Sequence, residues 1–397
     1  MTAPLRADSL VEKVKECTAC GACLVSCPTN SIHMDKDTEG FLRPYIDEET
    51  CISCHKCIKV CPVIQNNTIE LLEVKLPKTY AGVHKRTDVL DKSSSGGVFT
   101  AIAETIINDG GVVCGAVYNQ DFQIIHSITD KLEGIAPMRG SKYAPGLAYN
   151  VFNEIRNILK SGRKVLFTGL PCQVVGLKAY LGKQKYAENL ITCDIICHGM
   201  VSHTLYNGFL SSLKKRNKEL ANINFRQKVT SGTVLRVTYS DGSCEDIPFE
   251  KNHYYHILLS DNCLRKSCYN CIARKGVRQS DITIGDFWGI KRVLPELDEK
   301  KGVSVIFLHT VKADEIVSRI TGDMELKQTP FAYSVYENSS YWISPDYYPS
   351  RDKFIHYLLK HGYSKTVKHY YQRNIVKRLV YSLGRLIFNL LRNFSKK

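Results

Sequence analysis

The sequence predicts a multidomain protein of mixed α+β and α/β class: a small cysteine-bound N-terminal module, a mixed α/β body and a C-terminal amphipathic helix. Three observations predict it. A four-cysteine run occurs twice before residue 62, strand-like and helix-like apolar segments alternate after residue 78, and a basic stretch with helical apolar spacing closes the chain. At 397 residues there is room for two or three domains. Composition divides them into 1–66 for the cysteine module, 67–78 for a polar linker, 79–185 and 186–350 for the two parts of the body, and 351–397 for the basic tail.

In the module, Cys17, Cys20, Cys23 and Cys27, followed by Pro28, spell C-x2-C-x2-C-x3-C-P, and Cys51, Cys54, Cys57 and Cys61, followed by Pro62, repeat it. This is the ligation run of bacterial ferredoxins. Three thiolates two residues apart on a tight loop reach three corners of one cubane, and internal pseudo-symmetry carries the fourth to the other cluster. The spacing predicts a bacterial-ferredoxin-like domain with two 4Fe–4S clusters. One takes Cys17, Cys20, Cys23 and Cys61, and the other takes Cys51, Cys54, Cys57 and Cys27. Zinc knuckles pair two cysteines with two more at a distance and do not use so compact a run. Two one-electron centres in one module make a wire, whose terminus then belongs to the rest of the chain.

Composition excludes several classes. With 44% hydrophobic and 23% charged residues the chain is neither disordered nor membrane-embedded. Residues 1–15 lack an apolar core and no run of eighteen apolar residues occurs, which predicts neither a secretory leader nor a membrane-spanning helix. Sixteen cysteines without an export signal read as metal ligands in a reducing cytoplasm. The formal charge of +15 favours an anionic partner, but the segment after residue 364 holds nine Lys or Arg and no acid. The body is only mildly basic, and no nucleic-acid motif appears.

In the body, periodicity predicts strands over 80–83, 111–118, 123–128, 164–168 and 190–196, with helices over 97–109, 147–161 and 173–181. Such alternation argues for an α/β domain on a partly parallel sheet. Further on, strands are read over 233–240 and 303–309. Ser93, Ser94, Ser95, Gly96 and Gly97 precede a helix, where hydroxyls and amides either cradle a phosphate or simply cap the helix. RGSKY at 139–143 offers two cations on a flexible turn, for an anion or for solvent. TGLPCQ at 168–173 and CDIICHG at 193–199 fall at the carboxyl ends of predicted strands, where α/β sheets bind ligands. Cys263, Cys268 and Cys271 form C-x4-C-x2-C and need a fourth partner, with Cys197, Cys193 and Cys172 as candidates. Zinc fits such a site, and the two iron clusters upstream favour a third 4Fe–4S cluster. Cys114 and Cys244 read as structural.

The ordered set of segments resembles the beta-subunit family of coenzyme F-420 hydrogenases and dehydrogenases. It comprises the double cysteine run, SSSGG, GSKYAPG, FTGLPCQVVGL, CDIICHG, CLRKSCYNC and DITIGDFWG, and it covers roughly 17–289. The resemblance implies FAD beside 4Fe–4S clusters. It implies that Ser94, Ser95, Gly96, Gly97, Ser141, Lys142, Gly169, Pro171, Cys172 and Gln173 line the flavin, making the body a flavin-binding domain. Cys263, Cys268 and Cys271 would hold the third cluster with Cys197 as fourth ligand. His198 would donate to flavin or substrate as the catalytic residue, or serve as a structural histidine. Asp286, beside Phe287 and Trp288, would orient a ligand or cap a loop. Flavin suits the task because it exchanges both single electrons and hydride.

In the tail, Ile375, Val376, Leu379, Val380, Leu383, Leu386, Ile387, Leu390, Leu391 and Phe394 recur at helical spacing among basic residues. That pattern predicts a helix lying on an anionic membrane surface, so that a cytoplasmic protein sits peripherally at the inner face; docking on a partner or on the body are the other readings. The function expected is an iron–sulfur flavoprotein oxidoreductase that takes electrons from ferredoxin or a redox partner subunit to a small organic acceptor, F-420-like or other. The alternative is a non-catalytic electron-transfer subunit docked to a separate catalytic subunit.

Overall fold

A computed structural model describes residues 14, 16–65, 76–215, 217–230, 232–274, 278–297 and 301–372. The tail reading over 375–394 and most of the 67–78 linker lie outside the described residues.

The N-terminal module pairs β1 (Ile32–Lys36) with β2 (Leu42–Ile46) in an antiparallel hairpin and adds three short helices, α1 (Ala22–Val25), α2 (Lys56–Lys59) and α3 (Pro62–Gln65). The sequence repeat is also a backbone repeat. Ala19 (φ 56°) and Gly21 (φ 77°) flank Cys20, and Ser53 (φ 53°) and His55 (φ 56°) flank Cys54, all in the left-handed region. Three of these four are not glycine, at a cost of roughly 1 kcal/mol each. The loops hold this shape in both halves because it turns three closely spaced thiols inward.

The body is built on a nine-stranded mixed sheet. Its strands are β3 (Lys78–His84), β4 (Val112–Tyr118), β5 (Ile124–Thr129), β6 (Gly146–Leu147), β7 (Val165–Gly169), β8 (Leu190–Ile195), β12 (Ile282–Asp286), β13 (Ser304–Leu308) and β14 (Met324–Gln328). Their order is β14-β3-β13-β12-β8-β7-β4-β5-β6. The four central strands β12, β8, β7 and β4 run parallel, and antiparallel strands flank them. Buried on both faces, these strands read as continuous apolar runs, which is why their periodicity is weak. One face is covered by α5 (Val98–Asn108) and α10 (Val311–Arg319), through Ile102, Ile106, Ile316 and Val317. The other is covered by α6 (Phe152–Lys160) and α7 (Pro171–Leu181), through Phe152, Ile155, Val174 and Leu177. Two shorter helices, α4 (Thr87–Asp91) and α11 (Phe331–Tyr336), lie near β3.

Between β8 and β12 the chain makes α8 (His203–Leu213), an antiparallel sheet β9 (Leu220–Val229), β10 (Gly232–Tyr239) and β11 (Cys244–Pro248), and α9 (His253–Leu258). These pack a second core of Tyr206, Phe209, Phe225, Val237 and Tyr254, closed by α12 (Ser350–Val367). α12 contributes Phe354, Ile355, Leu358 and Val367, so the described start of the 351–397 segment is a packed helix, broken at Gly362 (φ 77°). The helix expected over 147–161 begins as β6 and a 3-10 turn and becomes α-helical only at Phe152. Among the described residues no helix is long and apolar enough to cross a membrane.

Candidate functional site

A cavity of ≈ 470 Å³ opens at the carboxyl ends of the parallel strands, lined by Thr168 and Gly169 of β7, Cys193 and Ile195 of β8, and Ile284, Gly285 and Asp286 of β12. The 93–99 turn, the 138–144 loop, Tyr255 and Leu258 of α9 and the 337–340 segment complete its wall. Ser94, Ser95, Gly97, Ser141, Lys142, Gly169, Gln173 and His198 line it. Gly96, Pro171 and Cys172 do not, so the wall departs from the sequence expectation at these three positions. At Gly96 a Cβ would run into the Gly82 carbonyl, and the Gly96 amide donates to Ser304 Oγ (2.9 Å); this glycine serves close packing on β3 and β13. Pro171 is buried as the first residue of α7.

The polar wall is tied together. Ser141 N donates to Ser94 Oγ (2.7 Å), joining the 93–97 turn to the 138–144 loop. Lys228 Nζ donates to the carbonyls of Leu90 (2.6 Å), Ser95 (2.9 Å) and Lys301 (2.7 Å), and burial pulls its ammonium down to about 8. Lys142 Nζ donates to the Arg139 (3.0 Å) and Gly140 (3.3 Å) carbonyls inside its own loop, and burial brings it to about 8 as well. Gln173 accepts from Leu170 N (2.8 Å) and donates to Gly146 O (3.1 Å), which fixes the turn at the end of β7. His126, unforeseen in the sequence, lies with Nε2 2.9 Å from Thr168 O and Nδ1 3.2 Å from Leu147 O, stacked on Phe167. Burial pulls its imidazole down to about 4. Near the mouth, Arg226 pairs with Asp286 (2.9 Å) and lies over the half-exposed Trp288. His198 Nε2 is 2.7 Å from Asp261 Oδ1.

The fold divides the C-x4-C-x2-C triplet. Cys263 is fully buried in the second core and its thiol donates to Ile257 O (3.3 Å). Cys172, by contrast, is held well above its usual range first by burial and then by the neighbouring sulfurs of Cys271, Cys197, Cys268 and Cys20. Cys172, Cys197, Cys268 and Cys271 thus form one thiol group, with Cys263 outside it. The correction has a helical cause. Cys172 is one residue from Gln173, about 100° around α7, so Gln173 faces the cavity and Cys172 faces away from it. Met200 N donates to Cys268 Sγ (3.4 Å), and Cys271 N donates to Ser344 Oγ (3.2 Å). Cys193 is enclosed in the sheet beside Asp194 and Asp281.

In the N-terminal module, Cys17, Cys20, Cys23 and Cys61 line one small cavity, and Cys27, Cys51, Cys54 and Cys57 line another. That grouping is the crossover expected from the spacing. Burial and then the sulfurs of Cys17 and Cys61 push Cys20 up to about 12. The first of these two sites faces the body. A Cβ at Gly176 of α7 would lie 2.5 Å from Cys20 Cβ, and one at Gly21 would run into the Tyr149 ring. Ser267 Oγ donates to Cys17 O (3.2 Å), and Arg265 donates to Leu42 O (2.8 Å). Arg351, fully buried, bonds both Glu39 oxygens (2.5 and 3.1 Å). The second site points outward, with Cys54 exposed. Among the described residues no three His, Cys, Asp or Glu side chains stand in closed metal-holding geometry, in the N-terminal module and the inner group alike.

Two sets of four thiols in a doubled ferredoxin-like module, docked on an α/β body, are the build of an iron–sulfur electron-transfer protein. Residues 16–64 and 43–97 match 4Fe–4S dicluster domains. Residues 162–332 match the family described as the C-terminal part of the coenzyme F420 hydrogenase/dehydrogenase beta subunit, and the chain belongs to that family. A chain of the xenon-derivatised F420-reducing NiFe hydrogenase complex from Methanosarcina barkeri is similar at 19% identity, over 76% of this chain and 93% of that one, with a TM-score of 0.47. No curated protein matches.

Proposed function

We propose that the chain is an iron–sulfur flavoprotein oxidoreductase that passes electrons between a redox partner and a small organic acceptor, through three 4Fe–4S clusters and FAD. The observation that carries this reading is the position of α7. Residues 169, 170 and 173 around its first turn line the cavity, Cys172 joins the inner thiol group, and Gly176 lies against Cys20. The order is therefore cavity, inner thiols, the Cys17/Cys20/Cys23/Cys61 site, then the Cys27/Cys51/Cys54/Cys57 site at the surface. A partner such as a ferredoxin would meet the chain at the exposed Cys54 loop.

The donor sets suit the cofactors. Four thiols are the complement of a cubane, and the inner set is Cys172, Cys197, Cys268 and Cys271. The cavity suits FAD in class: hydroxyls and Lys142 at one end take an anionic group, while Ile124, Ile195, Leu258 and Ile284 supply an apolar wall for a flat ring. When bound, FAD supplies the exchange between one-electron and hydride transfer. Ser94 and Ser141 hold the two anion-facing loops in register, Lys228 fixes the carbonyls behind the serine turn, and Gln173 orients the turn nearest the inner thiols. His198, oriented by Asp261, holds or passes a proton at the cavity edge.

Iron, sulfide, zinc and flavin analysis of protein purified without oxygen tests the reading. About twelve irons and one FAD per chain support it, whereas about eight irons, one zinc and no flavin overturn the flavoenzyme reading. Turnover of a donor–acceptor pair by the isolated chain separates an enzyme from a non-catalytic subunit.

A further inference from the structure

We infer that Arg274 is the counter-ion of the inner thiol group and raises the reduction potential of the cluster held there. The inference rests on the reading of Cys172, Cys197, Cys268 and Cys271 as cluster ligands. Arg274 is 6% exposed. Its Nη1 donates to Ile343 O (2.8 Å), and its Nη2 donates to the carbonyls of His198 (2.8 Å) and Cys197. Among the described residues no carboxylate pairs with it. Its neighbour Arg278, equally buried, has Asp194 Oδ2 at 3.3 Å. A buried guanidinium keeps its charge, and burying a charge with only neutral carbonyls around it is costly. The side chains that supply the missing negative charge are the thiols beside it: Arg274 is the first of the charges that favour the ionised form of Cys197.

A cubane on four thiolates is anionic and gains one electron on reduction. A fixed cation beside it stabilises the reduced form more than the oxidised form, so the potential rises. The cluster's electron comes from the N-terminal module, and no proton is needed to balance it. The same guanidinium bonds the carbonyls of a cluster ligand, Cys197, and of the cavity-lining His198. It therefore positions both faces of the 197–198 turn, acting through them without touching an acceptor.

The experiment is an anaerobic redox titration of the full chain followed by electron paramagnetic resonance, with iron analysis, for wild type, Arg274→Gln and Arg274→Lys. The expected result is an inner-cluster midpoint shifted to more negative potential in Arg274→Gln, a smaller shift in Arg274→Lys, and unmoved N-terminal clusters. Loss of four irons from Arg274→Gln but not from Arg274→Lys equally supports a charge requirement. An unshifted midpoint in an Arg274→Gln protein with full iron overturns the inference, as does loss of the inner iron from both variants, which marks a purely structural tie. Wild-type protein with only about eight irons overturns the four-thiol reading itself, and the counter-ion role with it.

Discussion

Glu39→Gln probes what holds the dicluster module on the body. Arg351 has no exposed side-chain surface, and its partners are the two Glu39 oxygens, Leu264 O (2.9 Å) and the exposed Asp352 (3.1 Å). Removing the Glu39 charge leaves a buried cation facing one exposed carboxylate, which costs about 3–5 kcal/mol. Arg351→Met removes the cation instead. It leaves Glu39 partly exposed and still paired with Lys266 (2.9 Å), and methionine refills the space between Phe41 and Tyr269, so the cost falls to about 1.5–3 kcal/mol. The order, Glu39→Gln worse than Arg351→Met, follows from which charge is stranded deeper. Urea unfolding of the anaerobic holoprotein, followed by cluster absorbance, measures both, and the double variant should be less destabilised than the sum. Equal costs with strict additivity would refute the coupling. There is a pH signature as well. Burial pushes Glu39 up, but hydrogen bonds from Arg351 and Lys266 outweigh it and hold the carboxyl below its ordinary value. With a lowered folded value, its contribution is complete above the unfolded carboxylate range, near about 4.3, and is lost as pH falls through the folded value. Glu39→Gln should flatten that part of the acid limb.

Three further outcomes are expected. Cys172→Ala should lose about four irons while Cys263→Ala keeps them all and loses only about 1 kcal/mol of packing; iron analysis with visible spectra decides, and the reverse pattern would restore Cys263 as a ligand. Gly176→Ala gains about 1 kcal/mol of helix propensity but sets a Cβ 2.5 Å from Cys20 Cβ, an overpacking cost of about 1–3 kcal/mol. Freeze-quench reduction should show slower filling of the inner cluster, and a variant both more stable and equally fast would show that the contact yields freely. Lys142, brought by burial to about 8, is charged below that value and neutral above it. FAD binding to flavin-free protein should therefore weaken as pH rises through about 8, and Lys142→Met should remove the dependence; titration calorimetry showing a flat wild-type profile would dismiss Lys142 as an anion contact.

What is legible in the sequence follows from how local each signal is. The eight N-terminal cysteines sit in two short runs whose spacing alone implies the crossover, and the cavities group them that way. The central strands read as apolar runs between helices, because a parallel strand is buried on both faces. β12 reads only as a motif, ITIGDFWG, and not as a strand, since its polar carboxyl end faces the cavity. The inner thiol group is half legible. Adjacency selects Cys268 and Cys271, but the same adjacency draws in Cys263, whose neighbours are the aromatic residues of a core assembled from distant helices and strands. His126 gives no signal, because what distinguishes it is two backbone carbonyls that reach it from 147 and 168 only after folding.

The case for a conducting path rests on α7 more than on any single cysteine. Most helices in this body have one face for the sheet and one for solvent, but α7 is enclosed on several sides by the sheet, the cavity, the inner thiols and the N-terminal module. Positions 169 and 173 repeat at one turn and face the cavity, while 172 and 176 repeat at one turn and face the sulfurs. Two adjacent stripes on one rigid helix thus set the cavity wall, one inner thiol and the nearest thiol of the module at fixed separations. A loop would leave those separations free to vary, and electron transfer is sensitive to them. The two small residues follow from the same demand. Gly169 lets the end of β7 approach Gln173 and His126, and Gly176 lets Cys20 close on the helix backbone. Enlarging either side chain should therefore disturb transfer before it disturbs the fold. Because α7 packs against β7 and β8 through Val174 and Leu177, any displacement of the module reaches the cavity through the same helix.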